Sequence, residues 1–112
     1  MEQMLDIFKA MSDKNRLRIL KLLQAGELCA CHLVAALNLV QPQISFHMKI
    51  LKKAGLVLDR RCGRWTYYRL NDTDMFIRFL LLSALERIQE ESITDDCRRL
   101  KEFSCSPSNP CK

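Results

Sequence analysis

The chain has 112 residues, 48% of them hydrophobic, which is enough for one compact domain with a real core and leaves little room for a second. Its formal net charge is +5, from 18 Lys and Arg against 13 Asp and Glu; that excess favours a polyanionic partner through counterion release without requiring one. No apolar run approaches the roughly 20 residues that cross a bilayer, and Met1-Glu2-Gln3 starts no export pattern, so the expectation is a cytoplasmic protein with no membrane partner.

In chain order, Met4, Leu5, Phe8 and Met11 recur at helical spacing and predict a short amphipathic helix over 2–11. Ser12 or Asp13 can cap the next helix, whose broad apolar face is Leu17, Ile19, Leu20, Leu22 and Leu23 and which stops at Gly26. A third, short helix runs from about Cys29 to Leu37 and ends near Asn38. Leu39-Val40-Gln41 then turns into a fourth helix with Pro42 at its first position, where a missing N–H costs nothing, and Gly55 ends it.

Residues 56–62 and 65–70 read as two strands around a Cys62-Gly63-Arg64 turn. Asp72 or Thr73 caps a final long helix reaching about Glu91, and its segment from Met75 to Leu82 is apolar nearly all round. A helix that greasy needs cover, and the economical cover is the same helix, with the first helix, of a second copy. The end of the chain carries Pro107 and Pro110 among serines without periodicity and reads as flexible. The expected fold is therefore mainly α with a small β-hairpin, in the order α-α-α-α-β-β-α. Residues 1–92 form a winged helix-turn-helix domain for DNA binding and homodimerisation, and residues 93–112 form a flexible cysteine-containing tail.

On the fourth helix, Ile44, Met48 and Leu51 share a face that packs inward, while Pro42, Ser45, Phe46, Lys49 and Lys53 share one that suits the major groove of double-stranded DNA. Ser45 can bond a base edge or phosphate, and Gln41 and Gln43 can approach as the helix enters the groove. Lys49, Lys52 and Lys53 suit phosphates, which position a protein but read no sequence. Phe46 is either a thymine-methyl contact or a half-buried edge of the core. His47, on the boundary between the faces, is either a packed structural residue or a DNA contact. Arg60, Arg61 and Arg64 flank the hairpin turn and can reach a backbone or the minor groove; the alternative is a charged, solvated strand edge.

Four strings carry a resemblance: Glu-Leu-Cys-x-Cys at 27–31, Gln-Pro-x-Ile-Ser-x-His at 41–47, Leu-Lys-Lys-Ala-Gly-Leu-Val at 51–57, and Asp-Arg-Arg-x-Gly-x-Trp-x-x-Tyr-Arg-Leu at 59–70. In that order, over residues 1–92, they resemble the arsenic-responsive (ArsR) family of bacterial repressors. The resemblance implies a homodimer on operator DNA that lets go when trivalent arsenic or antimony, As(III) or Sb(III), binds; no organic cofactor is implied.

The chain has six cysteines, which in a reducing compartment point toward metal binding or redox sensing rather than a disulfide framework. Trivalent arsenic prefers three thiolates in a pyramid. Cys29 and Cys31 are the first candidates, but side chains at i and i+2 of a regular helix diverge by about 200°. Both can hold one ion only where the helix start is distorted or not yet helical. Some relatives carry a third cysteine three residues after the second, where this chain has Val34. A third sulfur must come from elsewhere, with Cys105 and Cys111 the further candidates and Cys62 and Cys97 also present. Family members that hold zinc between their last helices use His there, and this chain's histidines are His32 and His47. A Cys29/Cys31/His32 zinc site needs adjacent residues to converge, for which neighbouring side chains are poorly placed. A disulfide between the head pair and the tail would make the same repressor a redox switch. Cys-x-Cys is not the Cys-x-x-Cys of thiol reductases and there is no glycine-rich phosphate loop, so no enzyme is expected.

Overall fold

The computed structural model describes residues 1–89 and 93–102. Helices α1 (Glu2–Met11), α2 (Lys14–Leu23), α3 (Ala30–Leu37) and α4 (Gln41–Lys53) precede a hairpin of β2 (Val57–Cys62) and β3 (Trp65–Leu70), and α5 (Met75–Glu86) follows. This is the expected winged helix, with two additions. Leu28–Cys29 forms a short strand, β1, and Thr94–Glu102 forms a further helix, α6. The wing is therefore a three-stranded antiparallel sheet in the order β1-β3-β2, with Leu28 opposite Tyr68 and Cys29 opposite Tyr67. Among the described residues no helix is long and apolar enough to cross a membrane.

Local chemistry explains the boundaries. Asp13 caps α2, its carboxylate accepting the Arg16 N–H at 3.1 Å. At the end of α4, Gly55 takes φ +84° and lets the chain double back, with Gly55 N–H donating to Lys52 C=O and Leu56 N–H to Leu51 C=O, both at 3.0 Å. Leu51 and Leu56 are both fully buried, which completes a Schellman stop. The cap of α5 is Asp74, not Asp72 or Thr73: its carboxylate accepts from Phe76 N–H at 2.9 Å and Ile77 N–H at 3.4 Å. The two earlier residues are engaged elsewhere, Asp72 with Arg69 and Thr73 with the Asn71 side chain. The helix ends at Glu86 rather than near Glu91.

The core lies between α2, α3 and α4 and is closed by Ile77, Leu81 and Leu85 of α5. On α1 the inward residues are Ile7 and Ala10, whereas Leu5 and Phe8 stay about half exposed. Phe79 of α5 is 63% exposed and Leu82 54%. The Met4, Leu5, Phe8 and Met11 periodicity of α1 thus marked mainly an outward apolar face, and the buried Ile7 and Ala10 lay outside it.

Helix α6 corrects the expectation that a flexible tail begins at residue 93. Ile93 is buried, Cys97 and Leu100 pack on the core, and Asp96 is 3% exposed. The Asp96 carboxylate accepts from Arg18 of α2 at 2.6 and 2.8 Å and from Arg99 at 2.7 Å. Arg99 also donates to the Ala36 carbonyl at 2.8 Å, placing a cation on the negative end of α3. Residues 103–112 lie outside the described residues.

Candidate nucleic-acid interface and thiol site

Helix α4 presents the face expected of it. Ile44, Met48 and Leu51 are buried, while Gln41, Pro42, Gln43, Ser45, Phe46, Lys49 and Lys53 are exposed. Phe46 is 60% exposed, so it is no edge of the core. Gln43 folds back on the helix start, its Oε1 accepting the Val40 N–H at 3.2 Å, which holds the end of α4 in a capped shape. Lys52 is paired with Asp59 at the foot of the wing, 3.0 Å away.

His47 is the most enclosed of the candidate DNA-facing residues on this helix, its side chain 11% exposed. Arg16, permanently protonated, donates to His47 Nδ1 at 3.2 Å, so the imidazole proton sits on Nε2. The same guanidinium donates through Nε to the Ala10 carbonyl at 2.7 Å. Burial is the main reason the His47 pKa lies below its ordinary value; Asp13 pulls it up and Arg16 pushes it down. The neutral ring thereby joins the recognition helix to the end of α1 and the start of α2. Sequence reading had no means to find Arg16, since its partner lies 31 positions away.

On the wing, Arg61 and Arg64 are exposed, and Arg61 Nε bonds the Gly63 carbonyl at 3.4 Å across the turn. Arg60 has a different setting. Its guanidinium makes two bonds to the Glu27 carboxylate, at 2.8 and 2.9 Å, and lies 4.6 Å above the centre of the Tyr67 ring. That bond to Arg60 is what lowers the Glu27 pKa.

The thiol pair sits where strand becomes helix. Cys29 ends β1 with φ −77° and ψ 155°, an extended residue, and Cys31 is the second residue of α3. The 200° divergence of a regular helix does not apply across such a junction, and the two Sγ atoms lie 3.2 Å apart. His32 joins them: ligand atoms of Cys29, Cys31 and His32 all fall within 4.8 Å of one another, so the adjacent residues do converge. His32 Nδ1, however, accepts the Cys29 N–H at 3.2 Å as part of the α3 cap, which commits that lone pair. Cys29 is a buried free thiol and Cys97 a half-buried one, whereas Cys31 and Cys62 are each held in a disulfide. Cys105 and Cys111 lie outside the described residues.

Sulfurs 3.2 Å apart, each bound at about 2.3 Å, subtend roughly 90° at a shared ion, nearer the edge of a pyramid than of a tetrahedron. Once Cys31 is reduced, Cys29 and Cys31 offer a soft pair of sulfurs, with His32 Nδ1 already engaged by the Cys29 N–H.

Residues 13–58 match the profile of the family described as bacterial regulatory protein, arsR family. An arsenic resistance transcriptional regulator of Pseudomonas putida is 40% identical over 104 residues, spanning 91% of this chain and 90% of its own. The arsenical resistance operon repressor of Escherichia coli is 37% identical, with 91% and 88% spanned. Among solved structures, HlyU from Vibrio cholerae superposes with a TM-score of 0.69 at 26% identity, over 78% of this chain and 92% of that one. A homodimeric winged helix-turn-helix DNA-binding domain from Mycobacterium bovis gives 0.65 at 30% identity, over 80% and 84%.

Proposed function

The chain belongs to the ArsR family of bacterial regulatory proteins, and from that premise we propose that it represses transcription as a homodimer on operator DNA and is released when As(III) or Sb(III) engages Cys29 and Cys31. The observation that carries the reading is the 3.2 Å approach of the two sulfurs at the head of α3. Ions of this class supply soft, three-coordinate bonding to sulfur, and a third sulfur would come from Cys62, Cys97, Cys105 or Cys111. Because Cys31 is held in a disulfide, the sensing form is the reduced one. Drawing both thiolates onto one centre constrains the backbone at Cys29-Ala30, and α3 packs directly on α4. A ligand that favours a different setting of α3 then opposes DNA binding by linkage.

On DNA, Gln41, Gln43, Ser45 and Phe46 enter the major groove, Lys49 and Lys53 hold phosphates, and Arg61 and Arg64 reach from the wing. His47 and Arg60 support that surface from partners inside the protein. The test is fluorescence anisotropy of the reduced protein on its own upstream DNA, titrated separately with arsenite, zinc and peroxide. Arsenite is expected to weaken binding by about 10- to 100-fold, within the usual range of coupling between two sites. Tight binding that arsenite leaves unchanged would sink the metalloid reading. Release by peroxide instead would favour a redox-sensing repressor, the alternative that the disulfide at Cys31 supports.

The homodimer rests on Leu5 and Phe8 of α1 and Phe79 and Leu82 of α5, large apolar side chains at least half exposed, which a second copy would cover. Phe79→Glu should give a monomer by sedimentation and weaken operator binding by at least ~10-fold, because each half-site is then held alone. A Phe79→Glu protein that still sediments as a dimer would move the interface elsewhere.

A further inference from the structure

Strand β1 is only two residues long, and a ladder that short holds weakly to the sheet. What reinforces it is a side-chain contact one residue upstream. Glu27 reaches past the central strand β3 to Arg60 on the far strand β2, with two bonds of 2.8 and 2.9 Å. The guanidinium lies over Tyr67, and Tyr67 is the β3 residue in register with both Cys29 and Arg60. Cys29, Tyr67 and Arg60 thus form one row across the three strands, and Glu27 closes it from the cysteine side. Arg61 follows Arg60 directly, and Gly63 and Arg64 lie just beyond at the tip.

We propose that the Glu27–Arg60 pair is a latch that ties the wing to the thiol-bearing strand, so that occupancy of the cysteine site moves the wing on DNA as well as the recognition helix. The proposal rests on the metalloid reading above. Glu27 is two residues from Cys29, so a change of backbone setting at Cys29 reaches its carboxylate directly. The bidentate geometry passes that shift to Arg60, since a planar fork on a carboxylate resists shear better than a single contact. Tyr67 beneath the guanidinium limits its freedom to swing away. Glu27 and Arg60 are therefore positioning residues. Without the pair, β1 can respond to the ion while the wing stays where DNA holds it.

The experiment measures the release factor, the ratio of operator Kd with saturating arsenite to Kd without it, in the full chain. Thiolate–arsenic absorbance in the ultraviolet confirms equal occupancy. Glu27→Gln, Arg60→Gln and the double variant are compared with the natural chain. Glu27→Gln should bind the operator within about twofold of the natural chain but show a release factor at least ~3-fold smaller, a loss typical of one coupled contact. The double variant should have a release factor no smaller than the lower of the two singles, because a shared interaction is lost only once. Additive losses of release, or full release of Glu27→Gln at equal occupancy, overturn the latch. Weak operator binding by Glu27→Gln before arsenite is added also overturns it, leaving the pair a structural role alone. A natural chain that arsenite occupies but does not release removes the metalloid reading, and the latch falls with it.

Discussion

Replacing Cys29 and Cys31 together by serine should leave operator affinity within about twofold of the natural chain and remove the response to arsenite, so that a release factor of about 10 to 100 falls to about 1. The substitution is mild for the fold. Cys29 is the N-cap of α3, and serine is among the preferred residues at that position. It is severe for the ion, because a hydroxyl stays protonated at neutral pH and is a hard ligand where a soft thiolate is wanted. Anisotropy with and without arsenite decides it in TCEP, a reductant without thiols to compete for the ion. Persistent release by the double variant would move the sensing site to other cysteines; a singly substituted chain that still releases would show that one of the pair suffices.

The largest stability effect is expected at Asp96. This carboxylate is 3% exposed and receives three hydrogen bonds from two arginines. Its bond to Arg18 raises that guanidinium's pKa, against a smaller effect of burial. Asp96→Ala leaves both cations without their counter-charge. Breaking a fully buried pair costs about 3–5 kcal/mol, but the Arg18 side chain is 20% exposed and Arg99 30%, so water recovers part of the loss. A destabilisation of about 2 kcal/mol is the expectation, or roughly 10 °C in Tm for a domain of this size. Arg98→Ala, which removes an exposed partner of Asp95 at 3.5 Å, should cost no more than ~0.5 kcal/mol. Thermal unfolding by circular dichroism compares the two; an Asp96→Ala protein melting within about 2 °C of the natural chain would show that this carboxylate does not hold α6.

The order of the elements was legible because each is announced locally. Asp13 is an acceptor one residue ahead of an apolar period, Pro42 opens α4 and Gly55 closes it, and Gly63 sits in the hairpin turn. The inward face of α4 followed from the spacing of Ile44, Met48 and Leu51 alone, since 3.6 residues per turn leaves that stripe one side to lie on. The likeness to known repressors was legible for a related reason: its strings lie at caps, turns and the recognition helix, where few residue types serve.

Tertiary structure decided everything that depends on pairs distant in the chain. Two residues, Leu28 and Cys29, are too short a run to announce a strand, and they became one because β3 offered an open edge. That event put Cys29 in an extended conformation beside the first turn of α3, which sequence could state only as a condition on the helix start. Helix α6 was hidden by its composition, as Thr94–Glu102 is mostly polar and its one buried charge, Asp96, meets Arg18 across 78 positions. The same holds for His47 against Arg16 and Arg60 against Glu27, where a residue read as facing DNA meets a partner within the protein. Sequence by itself determined the elements that caps, turns and periodicity announce and the inward face of α4, because those follow from neighbours within a turn or two. Which charges meet, and so how the thiol pair is joined to the DNA-reading surface, was determined only when the chain closed on itself.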